Sequence, residues 1–347
     1  MSENKRILEV KNLRTYFHLY EGVVRAVDGV DMSIDEGTTL GIIGESGSGK
    51  SVTAQSIMRI VPTPPGKIES GEIILYRKDG STVDVTKVSD DSAEMRAIRG
   101  REIAMIFQEP MRSFGPVHTI GAQIAEAVRI HNPGVTKKEA RGRAIEMLGR
   151  VGIPHPEKRI DGYPHQFSGG MLQRAMIAMA LSCSPRMLIA DEPTTAVDVT
   201  IQAQLLELLA RLRDETGMAV ILITHNLAVV SEMADRIMVM YMGRSVEEAS
   251  ARELFERPMH PYTRALWRSI PSIEGERRQL NPIEGSIPSP YDIPTTCYFY
   301  NRCTERVDGL CECHANPPMR EVSPGHKVAC WRYADPSVEW EEGSGHV

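Results

Sequence analysis

The stretch TTLGIIGESGSGKSVTAQSIMRIV constrains the fold of this chain more than any other part of its sequence. It reads as an apolar strand, a glycine-rich loop and then a helix, and the loop GESGSGKS fits the phosphate-loop pattern G-x-x-x-x-G-K-[ST]. The glycines allow the backbone to curl so that successive N–H groups point at a phosphate, and the helix N-terminus adds its positive dipole end. The predicted phosphate-binding residues are Gly44, Glu45, Ser46, Gly47, Ser48, Gly49, Lys50 and Ser51.

Within this loop, two side chains carry predicted chemistry. Lys50 can reach the β- and γ-phosphates of a nucleotide, and the Ser51 hydroxyl can bind Mg²⁺. A second apolar segment, RMLIADEP, ends in two acids at the position where ligands bind in parallel sheets. Asp191 is expected to hold Mg²⁺ through water, and Glu192 to polarise an attacking water as a general base.

The rest of the chain predicts an α/β protein with additional β and helical parts. The buried runs RMLIAD and MAVILIT flank the helical IQAQLLELLARLRDETG, which indicates a parallel sheet. ILEVKNLRTYF and VVRAVDGVDMSI read as strands, VPTPPGKIESG as a loop, and GEIILYRKDGSTVDVTKV as a hairpin that turns at Asp79–Gly80. The pattern is helical from about Ala122 to Met179, and prolines recur without period from Pro271 to Pro294.

Composition narrows the class of protein. The net charge of −6 over 347 residues argues against a general nucleic-acid binder, which usually has a basic balance. No apolar run approaches the roughly 18 residues that span a bilayer, and MSENKRILEV lacks the apolar region of a secretory signal. We therefore expect a cytoplasmic protein whose membrane role, if it has one, depends on a partner.

The segment FSGGMLQRAMIAMAL closely resembles the signature of the ATP-binding cassette (ABC) ATPases, LSGGQxQR, with Phe167 and Met171 as substitutions. The resemblance implies a P-loop NTPase fold with a mixed β-sheet core, an antiparallel β subdomain and a helical subdomain at about 112–180. It also implies a dimer in which the signature of one cassette, here Ser168, Gly169 and Gly170, closes in trans over the ATP that the other cassette holds.

Further landmarks of that family follow in order. IFQEP supplies Gln108, which matches the glutamine that senses Mg²⁺ and faces the transmembrane partner. TTAVD matches the dimer-contact loop, with Asp198 acting in trans, and ILITHN gives His225 as the switch histidine at the γ-phosphate. LRTYF offers Phe17 as the aromatic that stacks on adenine, with Tyr16 as the alternative.

The chain has a narrower resemblance to the ATPases of oligopeptide/dipeptide (nickel) importers. Three segments carry it, AVDGVDMSI, ADEPTTAVDVTIQAQ and HPYTRAL. This resemblance implies an ATPase that uses ATP and Mg²⁺ to energise import of peptides or related small solutes, peripheral on the cytoplasmic face of the inner membrane. Its implied partners are a transmembrane permease, a second cassette (a paralogue or a copy of itself) and an extracytoplasmic substrate-binding protein. We expect a cassette at 1–258 and a C-terminal domain at 259–347.

Two other functions are compatible with parts of the sequence. A soluble ABC ATPase of translation or DNA repair generally has two cassettes in one chain, a coiled-coil insertion or basic surfaces, none of which this sequence shows. A metal-cluster regulatory protein with a secondary ATPase would explain the cysteines, but it would leave HPYTRAL and IFQEP without a purpose. Transport is therefore the favoured prediction.

The C-terminal region concentrates cysteine. The spacing from Cys297 through Cys303, Cys311 and Cys313 to Cys330 matches neither a C-x2-C zinc knuckle nor a bacterial ferredoxin run. CYFYNRC, CEC before a proline, and GHKVAC resemble the C-terminal region of the oligopeptide cassettes, some of which hold a [4Fe–4S] cluster.

By that resemblance the cluster ligands are Cys297, Cys303, Cys313 and Cys330, with Cys311 as the alternative third ligand. A tetrahedral zinc site with four cysteine ligands is the competing prediction, and His314 and His326 could also serve as zinc ligands. Cys183 is expected in the core.

Overall fold

The structure is a computed structural model and describes residues 5–109, 113–194, 198–269, 283–312 and 316–334. Two sheets form its framework, one with four strands and one with eight. No described helix combines the length and the apolar character needed to cross a bilayer.

The four-stranded sheet is antiparallel and has the order β2-β1-β4-β5. Long β-branched and aromatic runs with alternating burial explain why this region forms strands. Its strands are β1 (Arg6–Leu19), β2 (Gly22–Asp35), β4 (Gly66–Tyr76) and β5 (Thr82–Asp84).

The eight-stranded sheet is mixed and has the order β11-β12-β10-β9-β3-β8-β7-β6. Pairing is parallel from β9 to β6 and antiparallel from β9 to β11. Its strands are β3 (Thr39–Ile43), β6 (Ile103–Ile106), β7 (Met187–Asp191), β8 (Ala219–Ile223), β9 (Arg236–Tyr241), β10 (Arg244–Ser250), β11 (Arg320–Ser323) and β12 (His326–Val328).

Helices cover this sheet and fill the segment between β6 and β7. The α-helices are α1 (Lys50–Ile57), α2 (Ala93–Ala97), α3 (Ile120–His131), α4 (Lys137–Arg150), α5 (Pro156–Arg159), α6 (Gly169–Leu181), α7 (Val199–Thr216), α8 (Leu227–Met233), α9 (Ala251–Glu256), α10 (Pro261–Arg268) and α11 (Trp331–Ala334). A π-type turn lies at Ile98–Glu102, and 3-10 turns lie at Val85–Lys87, Pro164–Gln166 and Tyr300–Arg302.

The central strands are buried on both faces. Every residue of β3, β7 and β8 is buried, because the four-stranded sheet and α1 pack on one side and helices that include α6 and α7 on the other. Continuous apolar strands of this kind belong to parallel sheets covered on both faces. The predicted α/β fold with a mixed core sheet and an antiparallel β part is confirmed.

One local prediction differs from the structure. VPTPPGKIESG is not a loop throughout, because β4 begins at Gly66 and pairs there with Phe17 of β1. The C-terminal region joins the mixed sheet, because β12 pairs with β10 through Glu247 and Glu248. An apolar cluster joins the C-terminal region to the mixed sheet, since Tyr298 and Phe299 pack with Tyr241 of β9.

Candidate functional site

The carboxyl ends of β3, β6, β7 and β8 meet at one edge of the mixed sheet. These strands are parallel neighbours, so the residues that follow each strand are brought together. The predicted loop follows β3, Gln108 follows β6, Glu192 follows β7 and His225 follows β8. The sequence-predicted chemistry therefore converges on a single site.

The phosphate loop has the curled backbone that its glycines predict. Gly44 and Gly49 have φ of 151° and 98°. A Cβ at Gly44 would lie 2.2 Å from the Met240 carbonyl oxygen, and one at Gly49 would lie 2.2 Å from that of Ala26. Both glycines are thus required by close backbone approach. Ser46 and Gly47 are exposed at the tip of the loop, whereas Ser48 is buried.

Lys50 is buried and turned back over the loop. Its Nζ donates to the carbonyl oxygen of Gly44 at 2.8 Å and to that of Glu45 at 3.0 Å. Burial lowers the pKa of Lys50, although Glu192, Asp191 and Glu45 oppose this effect. A buried ammonium whose hydrogen-bond partners among the described residues are neutral oxygens would gain from an anionic ligand.

Ser51 and Asp191 place two oxygen ligands beside the loop. Ser51 Oγ donates to Asp191 Oδ1 at 3.0 Å. Burial raises the pKa of Asp191, and the nearby Glu192 adds to that effect. A cation here would offset both the burial and the repulsion. The oxygen-only donor set is the type that Mg²⁺ prefers.

Glu192 is fixed by neighbours on both sides. Gln108 Nε2 lies 2.9 Å from Glu192 Oε2, and His225 Nδ1 lies 3.2 Å from Oε1. Glu192 also adopts φ of 47°, an uncommon backbone conformation for a non-glycine residue, while its N–H donates to the Ile223 carbonyl at 2.8 Å. The Glu192 side chain is 17% exposed, and its charge acts on both Lys50 and Asp191.

The two candidate adenine-stacking aromatics lie on opposite faces of β1. Tyr16 donates its hydroxyl to Asp28 at 2.8 Å, and its ring lies under the Arg25 guanidinium. Phe17 shares a face with Thr15, because residues two apart in a strand point the same way. Thr15 bonds Ser56 of α1 at 2.8 Å, so Phe17 lies on the side of the phosphate-loop helix.

The signature segment starts a helix at the protein surface. Ser168 is the N-cap of α6 and accepts a hydrogen bond from the Met171 N–H. Gly169 is exposed, and a Cβ built on it meets no described atom within 4 Å. Gly170 lies beside Ile201. Asp198 is exposed and caps α7 by accepting from the Ile201 N–H.

Sequence reasoning missed several groups that hold this site. Gln173 of the signature helix is fully buried and donates to the Pro193 carbonyl, which follows Glu192. Glu45 of the loop is bound through its N–H by Tyr262 and through its carboxylate by Arg302. A polar residue inside an apolar helix, as in MLQRAM, was a usable signal for Gln173. No local pattern marks Arg302 or Tyr262.

The described cysteines of the C-terminal region line one small cavity. Cys297, Cys303, Cys311 and Cys330 all face it. Burial raises the pKa of Cys303 to about 11 and that of Cys330 to about 12. Among the described residues, no group of three or more His, Cys, Asp or Glu side chains is placed to hold a single metal ion.

Two of the predicted metal ligands in this region lie outside the described residues, namely Cys313 and His314. His326 is engaged elsewhere, because its ring nitrogens lie 2.7 Å from Glu247 and 3.2 Å from Glu253. Cys183 is half-buried and lies near the Ala127 carbonyl, away from the other cysteines in the sequence.

Comparison with known proteins shows the family of this chain. The profile of the ABC transporter family matches residues 27–195, and that of the oligopeptide/dipeptide transporter C-terminal region matches residues 246–311. The chain is 50% identical over 327 residues to a Sinorhizobium fredii protein named "probable peptide ABC transporter ATP-binding protein y4tR", covering 94% of this chain and 95% of that one. It is 49% identical over 334 residues to the oligopeptide transport ATP-binding protein AppD of Bacillus subtilis, covering 96% and 98%.

Solved structures agree with these matches. The dimeric ATP-binding cassette MJ0796 in a post-hydrolysis state with ADP and Pi has a TM-score of 0.62 and 28% identity, over 71% of this chain and 99% of that one. CbiO1 from Clostridium perfringens, part of the ABC transporter complex cbiONQ, has a TM-score of 0.59 and 28% identity, over 74% and 92%. The chain belongs to the ABC transporter family, as an ATPase of its oligopeptide/dipeptide branch.

Proposed function

We propose that this chain hydrolyses ATP as one of two cassettes that power a permease importing peptides or related small solutes. The observation that carries the proposal is the convergence at one sheet edge of a curled phosphate loop, a buried lysine and a carboxylate fixed by Gln108 and His225. The peptide class of cargo rests on the names of the similar proteins from Sinorhizobium fredii and Bacillus subtilis.

Each residue has a defined part in this proposal. Lys50 and the N–H groups of the loop bind the phosphates, and Phe17 stacks on the adenine from the α1 side of β1. Glu192 accepts a proton from the attacking water, and Gln108 and His225 orient its carboxylate. Glu192 has an uncommon φ of 47°, a type of backbone conformation that clusters at functional sites.

Ser51, Asp191 and Gln108 are the residues that would hold Mg²⁺. The adjacent oxygens of Ser51 and Asp191 and the pKa of Asp191, which burial raises, fit a hard divalent cation. When bound, the ion neutralises negative charge on the phosphates. Asp191 and Ser51 would orient the nucleotide at the same time, because they belong to the two segments that flank it.

The second cassette completes the site in trans. Ser168, Gly169, Gly170 and Asp198 lie at exposed helix starts, where free N–H groups can bind the phosphates held by a partner. We propose that the partner is a second ABC ATPase, a copy or a paralogue, and that a transmembrane permease and an extracytoplasmic binding protein complete the system. The chain would then be peripheral at the cytoplasmic face of the membrane, with a cassette at 1–258 and a C-terminal region at 259–347.

The replacement Glu192→Gln tests the ATPase assignment. The amide cannot accept the proton from water, so we expect the assembled transporter to bind ATP, retain it and lose turnover by at least about 100-fold. ATP retention and phosphate release are measured on the same preparation. Hydrolysis at the unmodified rate would contradict the role given to Glu192.

We further propose that the cysteine cavity holds a [4Fe–4S] cluster. Four thiols face one cavity, three from the described range 283–312 and one from 316–334, which matches the ligand number of such clusters. Cys311 takes the third ligand position in this proposal because it faces the cavity, whereas the sequence-based choice, Cys313, lies outside the described residues.

Iron and acid-labile sulfide analysis of the anaerobically purified chain tests the cluster. We expect iron in the unmodified protein, loss of iron in Cys311→Ser, and retention in Cys183→Ser as the matched control. Zinc without iron, or iron lost in Cys313→Ser and kept in Cys311→Ser, would overturn the assignment.

A further inference from the structure

Glu45 lies inside the phosphate loop, yet its side chain is bound by the C-terminal region. Both terminal nitrogens of Arg302 contact its carboxylate, at 2.7 Å to Oε2 and 2.9 Å to Oε1. The two residues are separated by 257 positions in the chain. This fork-to-fork geometry is the strong form of an arginine–carboxylate pair, because two charge-assisted hydrogen bonds form in one plane.

Arg302 is held in place on every side. Its side chain is only 4% exposed, and its Nε donates to the Glu284 carbonyl at 3.1 Å. The guanidinium also lies over the rings of Tyr241 and Phe299, at 5.8 and 6.0 Å from their centres. Arg302 is therefore a rigid support for Glu45 and differs from a surface cation that samples many positions.

The backbone of Glu45 is tied to the same region and to the catalytic lysine. Its N–H donates to the hydroxyl oxygen of the fully buried Tyr262 at 2.9 Å. Its carbonyl accepts from Lys50 Nζ at 3.0 Å and from the Ser48 N–H at 3.2 Å. A shift of Glu45 would consequently move Lys50 and the turn that contains Ser48.

The pair also solves an electrostatic problem. A carboxylate in a loop built to receive phosphates repels them unless a cation neutralises it. Arg302 supplies that cation from the side of the C-terminal region. It leaves Lys50 bonded to loop carbonyls and the Ser48 hydroxyl, so the ammonium remains available to a ligand.

We propose that Arg302 is a positioning residue for ATP binding, which acts through Glu45 to hold the phosphate loop in its binding shape and to neutralise its carboxylate. The inference rests on the proposed ATP site. It gives the C-terminal region a direct role in nucleotide affinity, beyond its packing against the sheet edge. Binding gains from such support because the loop is ordered before the ligand arrives.

Equilibrium binding of Mg·ATP to the full-length chain tests the proposal. We expect Arg302→Met to weaken binding about tenfold, a 1.4 kcal/mol change. The affinity of Arg302→Lys for Mg·ATP should lie between those of Arg302→Met and the unmodified chain, because an ammonium keeps the charge but cannot form two parallel hydrogen bonds to the carboxylate. Arg320→Met is the matched control, since Arg320 is an exposed arginine of the same region, and it should bind as the unmodified chain does.

A double-mutant cycle separates positioning from general destabilisation. In a Glu45→Gln background the carboxylate is gone, so Arg302→Met should weaken binding less than about twofold further. An equal loss in both backgrounds, or unchanged binding by Arg302→Met, would overturn the inference. Failure of the unmodified chain to bind ATP would instead contradict the proposed function, so the two failures are distinguishable.

Discussion

At the scale of single residues, the glycines of the phosphate loop are required for different reasons. Gly49 has φ of 98° and no room for a methyl group, because a Cβ would lie 2.2 Å from a backbone oxygen of β2. Gly47 also has positive φ, at 78°, but a Cβ there meets no described atom within 4 Å. One glycine is required by shape and space together, the other by backbone conformation alone.

We therefore expect Gly49→Ala to abolish detectable ATP binding, because the loop must open to accommodate the methyl group. Gly47→Ala should reduce the free energy of ATP binding by only about 1–2 kcal/mol, which is the strain of an alanine in the left-handed conformation. Isothermal titration with Mg·ATP, with thermal unfolding as a check on folding, measures both. Equal losses in the two variants would show that steric contact with β2 is not the determining factor.

The sequence indicates several residues of the candidate site, but it does not indicate their long-range partners. Lys50, Ser51, Asp191 and Glu192 were predicted from the apolar strands that end at or before them, and parallel strands bring those ends together. His225 was predicted from the family resemblance. The partners of Glu45 were not predicted, because Tyr262 and Arg302 come from segments more than 200 positions away. Only the folded sheet makes them neighbours.

At the scale of secondary-structure elements, local pattern and long-range pairing have different weight. The segment from β3 to α1 follows from its own residues. β4 begins earlier than its glycines and prolines suggest, because β1 offers a partner from Phe17 onward. β12 is only three residues long, too short for alternation to be visible, and it forms because β10 and β11 pair with it.

The attachment of β12 depends on a buried charged group. His326 is 1% exposed and lies between Glu247, which is fully buried, and Glu253. Burial alone would lower the pKa of His326, but the hydrogen bonds and charges of the two carboxylates outweigh it and raise the pKa above 6.5. His326 therefore binds its proton more tightly in the folded chain than in the unfolded one.

It follows that His326 contributes most stability below about pH 6.5, and that the contribution is lost as pH rises through the folded pKa. We expect the difference in unfolding free energy between the unmodified chain and His326→Gln to shrink from about pH 5 to about pH 8. Denaturant titrations at several pH values measure it, with the neighbouring exposed Lys327→Gln as control. A difference that is constant with pH would contradict the assignment.

At the scale of the whole molecule, the exposed start of α6 is the surface that the proposed second cassette would contact. A side chain at Gly169 has open space around it in this chain, at least with respect to the described residues. We expect Gly169→Arg to fold and to bind ATP as the unmodified chain does, yet to abolish hydrolysis in the assembled transporter, because the arginine blocks closure of the second cassette.

Gly142→Arg is the matched control, because Gly142 is likewise an exposed helical glycine whose Cβ would meet no described atom within 4 Å. It lies in α4, and it should leave both binding and hydrolysis unchanged. Normal turnover by Gly169→Arg would argue against completion of the site in trans.

The Arg302–Glu45 pair has a reciprocal consequence, because binding free energies between linked sites are symmetric. If Arg302 raises the affinity for ATP, bound ATP must stabilise the C-terminal region against local opening by the same free energy. Amide hydrogen exchange around the 3-10 turn Tyr300–Arg302 should therefore slow when ATP binds. This turn lies about 50 residues after β10, the last strand of the proposed cassette. Nucleotide occupancy would then be reported at the cysteines on either side of that turn, in the C-terminal region.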